Sequence, residues 1–344
     1  MGKHSFLKRN WRLILNVVTL AALILLIFLI RGQIVATFHN FAKIDVWALA
    51  LMLPIEALNY HAQSRLYQTL FAMVGNRLRY GFLLPATIEL NFVNHVFPSG
   101  GVSGISYFAS RMKSNEITRS KATVVQFTKL IMQFVSFEIL FVFGLIFMAV
   151  GGKANDIVVL ATSSLATLVV VATVAFAFIL GSERRIHASF STLSRLLNRV
   201  VHFFRPTLPE VINTARAEHI VQELHETYKS IEKNYKQLER PFWWAFVTNV
   251  TEILALYVVY IAFGEWVNFG AIILAYAIAN FAGLISVLPG GVGIYEALMT
   301  GVLAAAGISP ALSLPVTVMY RVVNTVIQLT PGYILYHRHL QSAE

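Results

Sequence analysis

The chain has 344 residues, of which 57% are hydrophobic and 13% charged, with a net charge of +10 and no cysteine. A soluble domain carries roughly a quarter charged residues, so most of this chain is predicted to meet lipid. The composition excludes disulfides, thiolate metal sites and cysteine nucleophiles, and it assigns the positive charge to membrane orientation and anionic headgroups, not to nucleic acid.

Residues 13–30 form the first apolar run, behind Lys3, Lys8, Arg9 and Arg12. The run is longer than the usual ~7–15-residue core of a secretory signal and no small-x-small cleavage site follows, so it reads as a retained first span. Further apolar segments lie at 46–74, 122–150, 157–180, 241–263 and 314–336. They approach or exceed the ~20 residues that cross a bilayer as a helix, and none alternates as a barrel strand does.

Two more segments are interrupted. Residues 82–110 break at Pro98-Ser99-Gly100-Gly101-Val102-Ser103-Gly104, and 269–305 break at Pro289-Gly290-Gly291-Val292-Gly293. With the N-terminus inside, Arg77, Arg79, Arg111, Lys113, Arg119 and Lys121 face the cytoplasm only if 82–110 dips in and returns. The same holds for 269–305, entered from outside. The outer loops then keep only Arg31, Lys43 and Lys153, and every other loop cation falls inside, as the positive-inside rule requires. The competing reading is a pair of Gly/Pro kinks in ordinary spans. Re-entry is preferred because non-helical backbone at membrane depth needs a protein-lined cavity.

The expected fold is therefore all-α integral membrane, with six full spans plus two Pro/Gly-broken re-entrant helical hairpins arranged as an inverted repeat. One domain covers 1–344. Its first unit runs over about 46–150, a cytoplasmic helical loop over 181–240 and the second unit over about 241–337. Within the loop, Phe190, Leu193, Leu197, Val200 and Phe204 have the spacing of a helix lying on the inner leaflet. Val221, Leu224, Tyr228, Ile231, Tyr235 and Leu238 follow a short heptad pattern. Both termini are expected in the cytoplasm, in a cell membrane.

Ionisable residues inside the spans are Glu56, Arg65, Glu89, Lys129, Glu138, Glu252, Glu296 and Arg321. Each costs roughly 2.5–3.5 kcal/mol at a helix centre, so such residues find interior partners and are functional by default. Glu296 follows the second break by one helical turn, and Arg321 has the planar fork that grips a phosphate. The bland alternative is a structural Glu296–Arg321 ion pair. Glu56, Arg65 and Glu89 read at least equally well as snorkelling or locally paired groups. His61 and His95 read as packing residues, not metal ligands. Free backbone N–H groups at the two Gly-Gly breaks, together with the N-terminal ends of any helices that follow, suit an anionic headgroup. No Walker loop, His-Glu-x-x-His or nucleophile elbow is present, so a transporter is expected rather than an enzyme, with no cofactor.

The stretch Leu288-Pro289-Gly290-Gly291-Val292-Gly293-Ile294-Tyr295-Glu296, followed by Arg321 in the last span, resembles the lysylphosphatidylglycerol synthase transmembrane (flippase-like) family. Asn94 to Arg111 resembles that family's first motif. The resemblance runs from about residue 13 to residue 336 and implies the stand-alone form, without a synthase domain. It also implies movement of aminoacylated phosphatidylglycerol or glycolipids between leaflets. Family members often carry an acidic residue after the first break, where Gly104-Ile105-Ser106 stands here. Many carry a Glu-Arg pair and an Asp where Thr128-Lys129 and Gln133 stand.

The candidate substrate-binding set is Pro98, Gly100, Gly101, Arg111, Lys129, Glu252, Pro289, Gly290, Gly291, Gly293, Glu296 and Arg321. The expected function is a lipid flippase that passes an anionic or aminoacylated phospholipid or glycolipid headgroup through a polar cavity at the repeat interface. A small-anion transporter and a scaffold for a lipid- or sugar-modifying enzyme remain alternatives. Expected partners are membrane lipids, with such an enzyme and an oligomer left open and no nucleic acid.

Overall fold

The computed structural model describes residues 44–97, 102–150, 235–285 and 293–342, with scattered positions in 28–35, 160–188 and 229–233. The first span, the span at 157–180, most of the 181–240 loop and both Pro-Gly-Gly breaks fall wholly or largely outside this description.

Among the described residues the structure is helical, without strands. In chain order the first helices are α1 (Val46–Ala50), α2 (Met52–Met73), α3 (Tyr80–Val96), α4 (Val102–Met112) and α5 (Arg119–Val150). After residue 235 come α6 (Glu239–Ala262), α7 (Phe269–Ile285), α8 (Ile294–Ala305) and α9 (Pro310–Ser342). The segment expected as one helix over 46–74 is divided at Leu51, because Pro54 has no N–H to return to the carbonyl of Ala50. Asp45 caps the short first piece, accepting from the N–H groups of Trp47 and Ala48.

Among the described residues, three helices are long and apolar enough to cross a membrane: Arg119–Val150, Lys236–Ala262 and Pro310–Gln341. The 22-residue α2 has the length but not the composition. Glu56, Asn59, Gln63 and Ser64 are all buried in it, so it is an interior helix with a polar face. It lies along α6 in its most extensive contact. The two run antiparallel: Asp45 N donates to Ala262 O at 2.8 Å, and Asn59 Nδ2 donates to Thr248 O at 3.1 Å. α5 runs parallel to α6, since Asn249 reaches the carbonyl of Gln133 while Asn268, just beyond α6, reaches that of Phe147.

Helices from before and after the 181–240 segment interleave. α3 packs on α9, and α7 packs on α5. A glycine admits each contact. A Cβ on Gly332 of α9 would lie 2.5 Å from the Phe92 side chain of α3. A Cβ on Gly144 of α5 would lie 2.9 Å from Leu274 of α7, and one on Gly270 would lie 2.4 Å from the Gly144 carbonyl. Small residues permit this close approach, which helices use in lipid, where the hydrophobic effect does not drive association. The outward face of α5 carries Leu130, Ile139, Val142, Phe143, Ile146 and Phe147, all exposed, as a lipid-facing surface requires.

Candidate functional site

Polar side chains recur at three- and four-residue spacing on the helices that enter the middle of the bundle. They are Glu56, Asn59 and Gln63 on α2, Lys129 and Gln133 on α5, and Asn249 and Glu252 on α6. Tyr276 and Asn280 on α7 and Arg321, Asn324 and Gln328 on α9 continue the pattern. Such spacing puts each set on one face of its helix. The faces converge on a cavity of about 450 Å³, whose wall includes Lys129, Glu252, Tyr276, Arg321 and Gln328, with Asn91 and His95 of α3.

A continuous hydrogen-bonded chain crosses this site from α5 through α2 and α6 to α7 and α9. Lys129 Nζ donates to Gln63 Oε1 at 3.1 Å, and Gln63 Nε2 donates to Asn59 Oδ1 at 2.6 Å. Asn59 Nδ2 then donates to Glu252 Oε1 at 3.3 Å. The other oxygen of Glu252 accepts from the hydroxyls of Tyr276 and Tyr320, both at 3.2 Å. The carboxylate is thus held by groups from α2, α7 and α9, and its orientation is fixed by three helices at once. Lys129 also lies 5.0 Å from the centre of the Tyr67 ring, a cation–π contact that offsets part of its desolvation.

Arg321 stands on the cavity wall with its guanidinium 4.9 Å from the Tyr295 ring centre and paired with Glu296. Glu296 is buried behind it, outside the lining. Its second oxygen accepts from Gly293 N at 2.7 Å, so one carboxylate closes the first turn of α8 and anchors Arg321. The structure therefore brings Lys129, Glu252 and Arg321 to one cavity and puts Glu296 and Gly293 in support of the last. Arg111 is elsewhere: its Nε donates to Glu89 at 2.9 Å, beside Tyr107, which donates to the same oxygen. Pro98, Gly100, Gly101, Pro289, Gly290 and Gly291 lie outside the described residues.

Of the two readings open for Glu56 the paired one holds: it is only 2% exposed and accepts from Gln328 of α9 at 2.9 Å, an interior group next to the cavity. One expectation changes. His95 stands on the cavity wall instead of packing in the interior, held to the carbonyl of Asn91 at 2.9 Å. Arg65 and Glu89 are locally paired as expected, and His61 packs between Tyr80 and Trp244. The uncharged members of the site, Asn59, Gln63, Asn249, Tyr276, Asn280 and Gln328, place no charge within an apolar run and so do not stand out singly in the sequence. Their signal is the helical period of polar residues within apolar segments.

The family model of the lysylphosphatidylglycerol synthase transmembrane region matches residues 13–332, and the chain belongs to this family. It is similar to a UPF0104 membrane protein of Pyrococcus horikoshii, 28% identical over 115 residues, 33% of this chain and 34% of that protein. It is also similar to two UPF0104 membrane proteins of Methanothermobacter thermautotrophicus. One is 32% identical over 91 residues, 26% of this chain and 27% of the relative. The other is 26% identical over 129 residues, 38% of each. The matched stretches thus span well under two thirds of each relative's own length.

Proposed function

We propose that this member of the family is a lipid flippase, a transporter and not an enzyme, which passes an anionic or aminoacylated phospholipid or glycolipid headgroup between leaflets. The observation that carries the reading is the polar cavity with Arg321, Lys129 and Glu252 on its wall, inside a bundle whose outer face is apolar. Its volume falls within the roughly 300–1,000 Å³ of small-molecule sites, room for a headgroup and not for a whole lipid. Arg321 supplies a bidentate contact for phosphate. Lys129 adds positive potential, and Glu252 offers an acceptor to an amine or hydroxyl.

The topology proposed with it has α3–α4 and α7–α8 as re-entrant hairpins in an inverted repeat. Support comes from length: α4 has 11 residues and α8 has 12, about 16 and 18 Å at 1.5 Å per residue against a hydrocarbon core of about 30 Å. Further support comes from direction. The end of α2 and the start of α5 lie on the face where α6 begins, which supports a return of α3–α4 to the face it left. That face carries Arg77, Arg79, Lys113, Arg119, Lys121 and Arg240, which favours a cytoplasmic assignment. Trp47 and Trp266, both exposed, lie toward the opposite end, where interfacial tryptophans are expected. The cell membrane and cytoplasmic termini belong to the same proposal.

The deciding experiment is a leaflet-resolved lipid assay in proteoliposomes with a panel of headgroups. One anionic or aminoacylated lipid is expected to redistribute faster than in protein-free liposomes. Movement of glycerophosphate-like soluble anions without any lipid would replace this reading with small-anion transport. Movement of neither would point to the scaffold.

A further inference from the structure

A second, smaller cavity of about 150 Å³ adjoins the polar one and shares Gln133, Asn249, Tyr276 and Asn280 with it. Its remaining wall is apolar: Phe134 and Phe137 of α5 and Ala277 of α7. α5 and α7 touch at Gly144 and Gly270, and the Phe137 and Tyr276 rings stack at 6.0 Å two turns further along. Beyond that point the helices leave space between them. Phe134 is half-buried and stands one helical turn from Leu130, which is 42% exposed on the outward face. Polar groups thus occupy the inner end of this cleft, and apolar groups lie on the way to the outward surface.

We propose that the cleft between α5 and α7 is the lateral passage through which an acyl chain reaches the bilayer while its headgroup occupies the polar cavity. The inference rests on the flippase reading and adds the route. A soluble anion has no use for an apolar side branch, whereas a lipid cannot place its headgroup in a cavity of this size unless its chains have a way out. The amides of Gln133, Asn249 and Asn280 lie where the glycerol and ester groups of such a lipid would pass, at the boundary between the two environments. The small side chain of Ala277 keeps the passage open on the α7 side.

The chain has no cysteine, so Phe134→Cys introduces a single thiol that can be modified after folding. A bimane fluorophore at this position, in liposomes containing brominated phospholipid, is expected to be quenched to within twofold of one placed at the exposed Phe143. Attaching a biphenyl group to the same thiol is expected to slow movement of fluorescent phosphatidylglycerol at least tenfold against the unmodified variant. Binding of water-soluble glycerophosphoglycerol should stay within twofold. Absence of quenching, undiminished lipid movement after modification, or equal loss of lipid movement and headgroup binding would each overturn the passage. If the unmodified protein moves no phosphatidylglycerol or any other lipid, the flippase reading fails. The quenching measurement then decides by itself whether acyl chains enter the cleft.

Discussion

Glu296 accepts from the backbone N–H of Gly293 at 2.7 Å with one oxygen and from the guanidinium of Arg321 with the other. The first contact fixes the start of α8, directly after the Gly-rich break. The second fixes a cation of α9 on the cavity wall. One side chain therefore joins the break to the site.

This relationship separates a structural pair from a working one. Arg321→Met alone leaves a buried carboxylate uncompensated and is expected to destabilise the protein by about 3–5 kcal/mol, whereas Glu296→Gln with Arg321→Met is expected to be nearly neutral. Glutamine can still accept from Gly293 N, so the helix start survives. Thermal unfolding in detergent checks stability, and the proteoliposome assay checks transport. A double variant that is stable and inactive supports the lipid site. A double variant that moves lipid at the parental rate means the pair only packs. Arg321→Lys keeps the charge and loses the fork, and a substantial loss of transport is expected.

Gly293 has φ +87°, and a Cβ there meets nothing within 4 Å. Gly293→Ala therefore has room but the wrong dihedral, and a cost of about 1–3 kcal/mol is expected from backbone strain alone. The same shift would move the N–H that Glu296 accepts, so transport should fall with stability. Gly301, with open space and an ordinary helical φ, is the control: Gly301→Ala is expected to be neutral or slightly stabilising in the same melt.

The packing of α5 on α7 and of α3 on α9 depends on Gly144 and Gly332. Gly144→Leu pushes against Leu274 and Ile273, and Gly332→Leu against Phe92. Overpacking of this kind costs typically 1–3 kcal/mol. Both variants should show a lower melting temperature. If Gly332→Leu leaves the melt unchanged, α3 and α9 do not pack as described.

Orientation can be tested with single cysteines. Asn115 is exposed in the short turn of 3-10 helix after α4. A cysteine there should react with a membrane-impermeant thiol reagent only from the cytoplasmic side, and one at Trp266 only from the outside. Reaction of Asn115→Cys from outside would reverse the hairpin assignment.

Composition and apolar run length alone establish that this chain is helical and membrane-embedded, because lipid cannot satisfy backbone polar groups and a helix satisfies its own. Local pattern also points to Lys129, Glu252 and Arg321, since a charge within an apolar segment needs an interior partner. The tertiary structure decides which charges share a site. Arg111 and Arg321 look alike in sequence, yet one is tied to Glu89 away from the cavity and the other stands on its wall. It also reveals the uncharged groups that complete the site. Asn59 and Glu252 are 193 residues apart in the chain, and no spacing rule connects them. They meet because α2 and α6 lie antiparallel, a relationship set by side-chain packing between distant segments and not by the local preferences of either one.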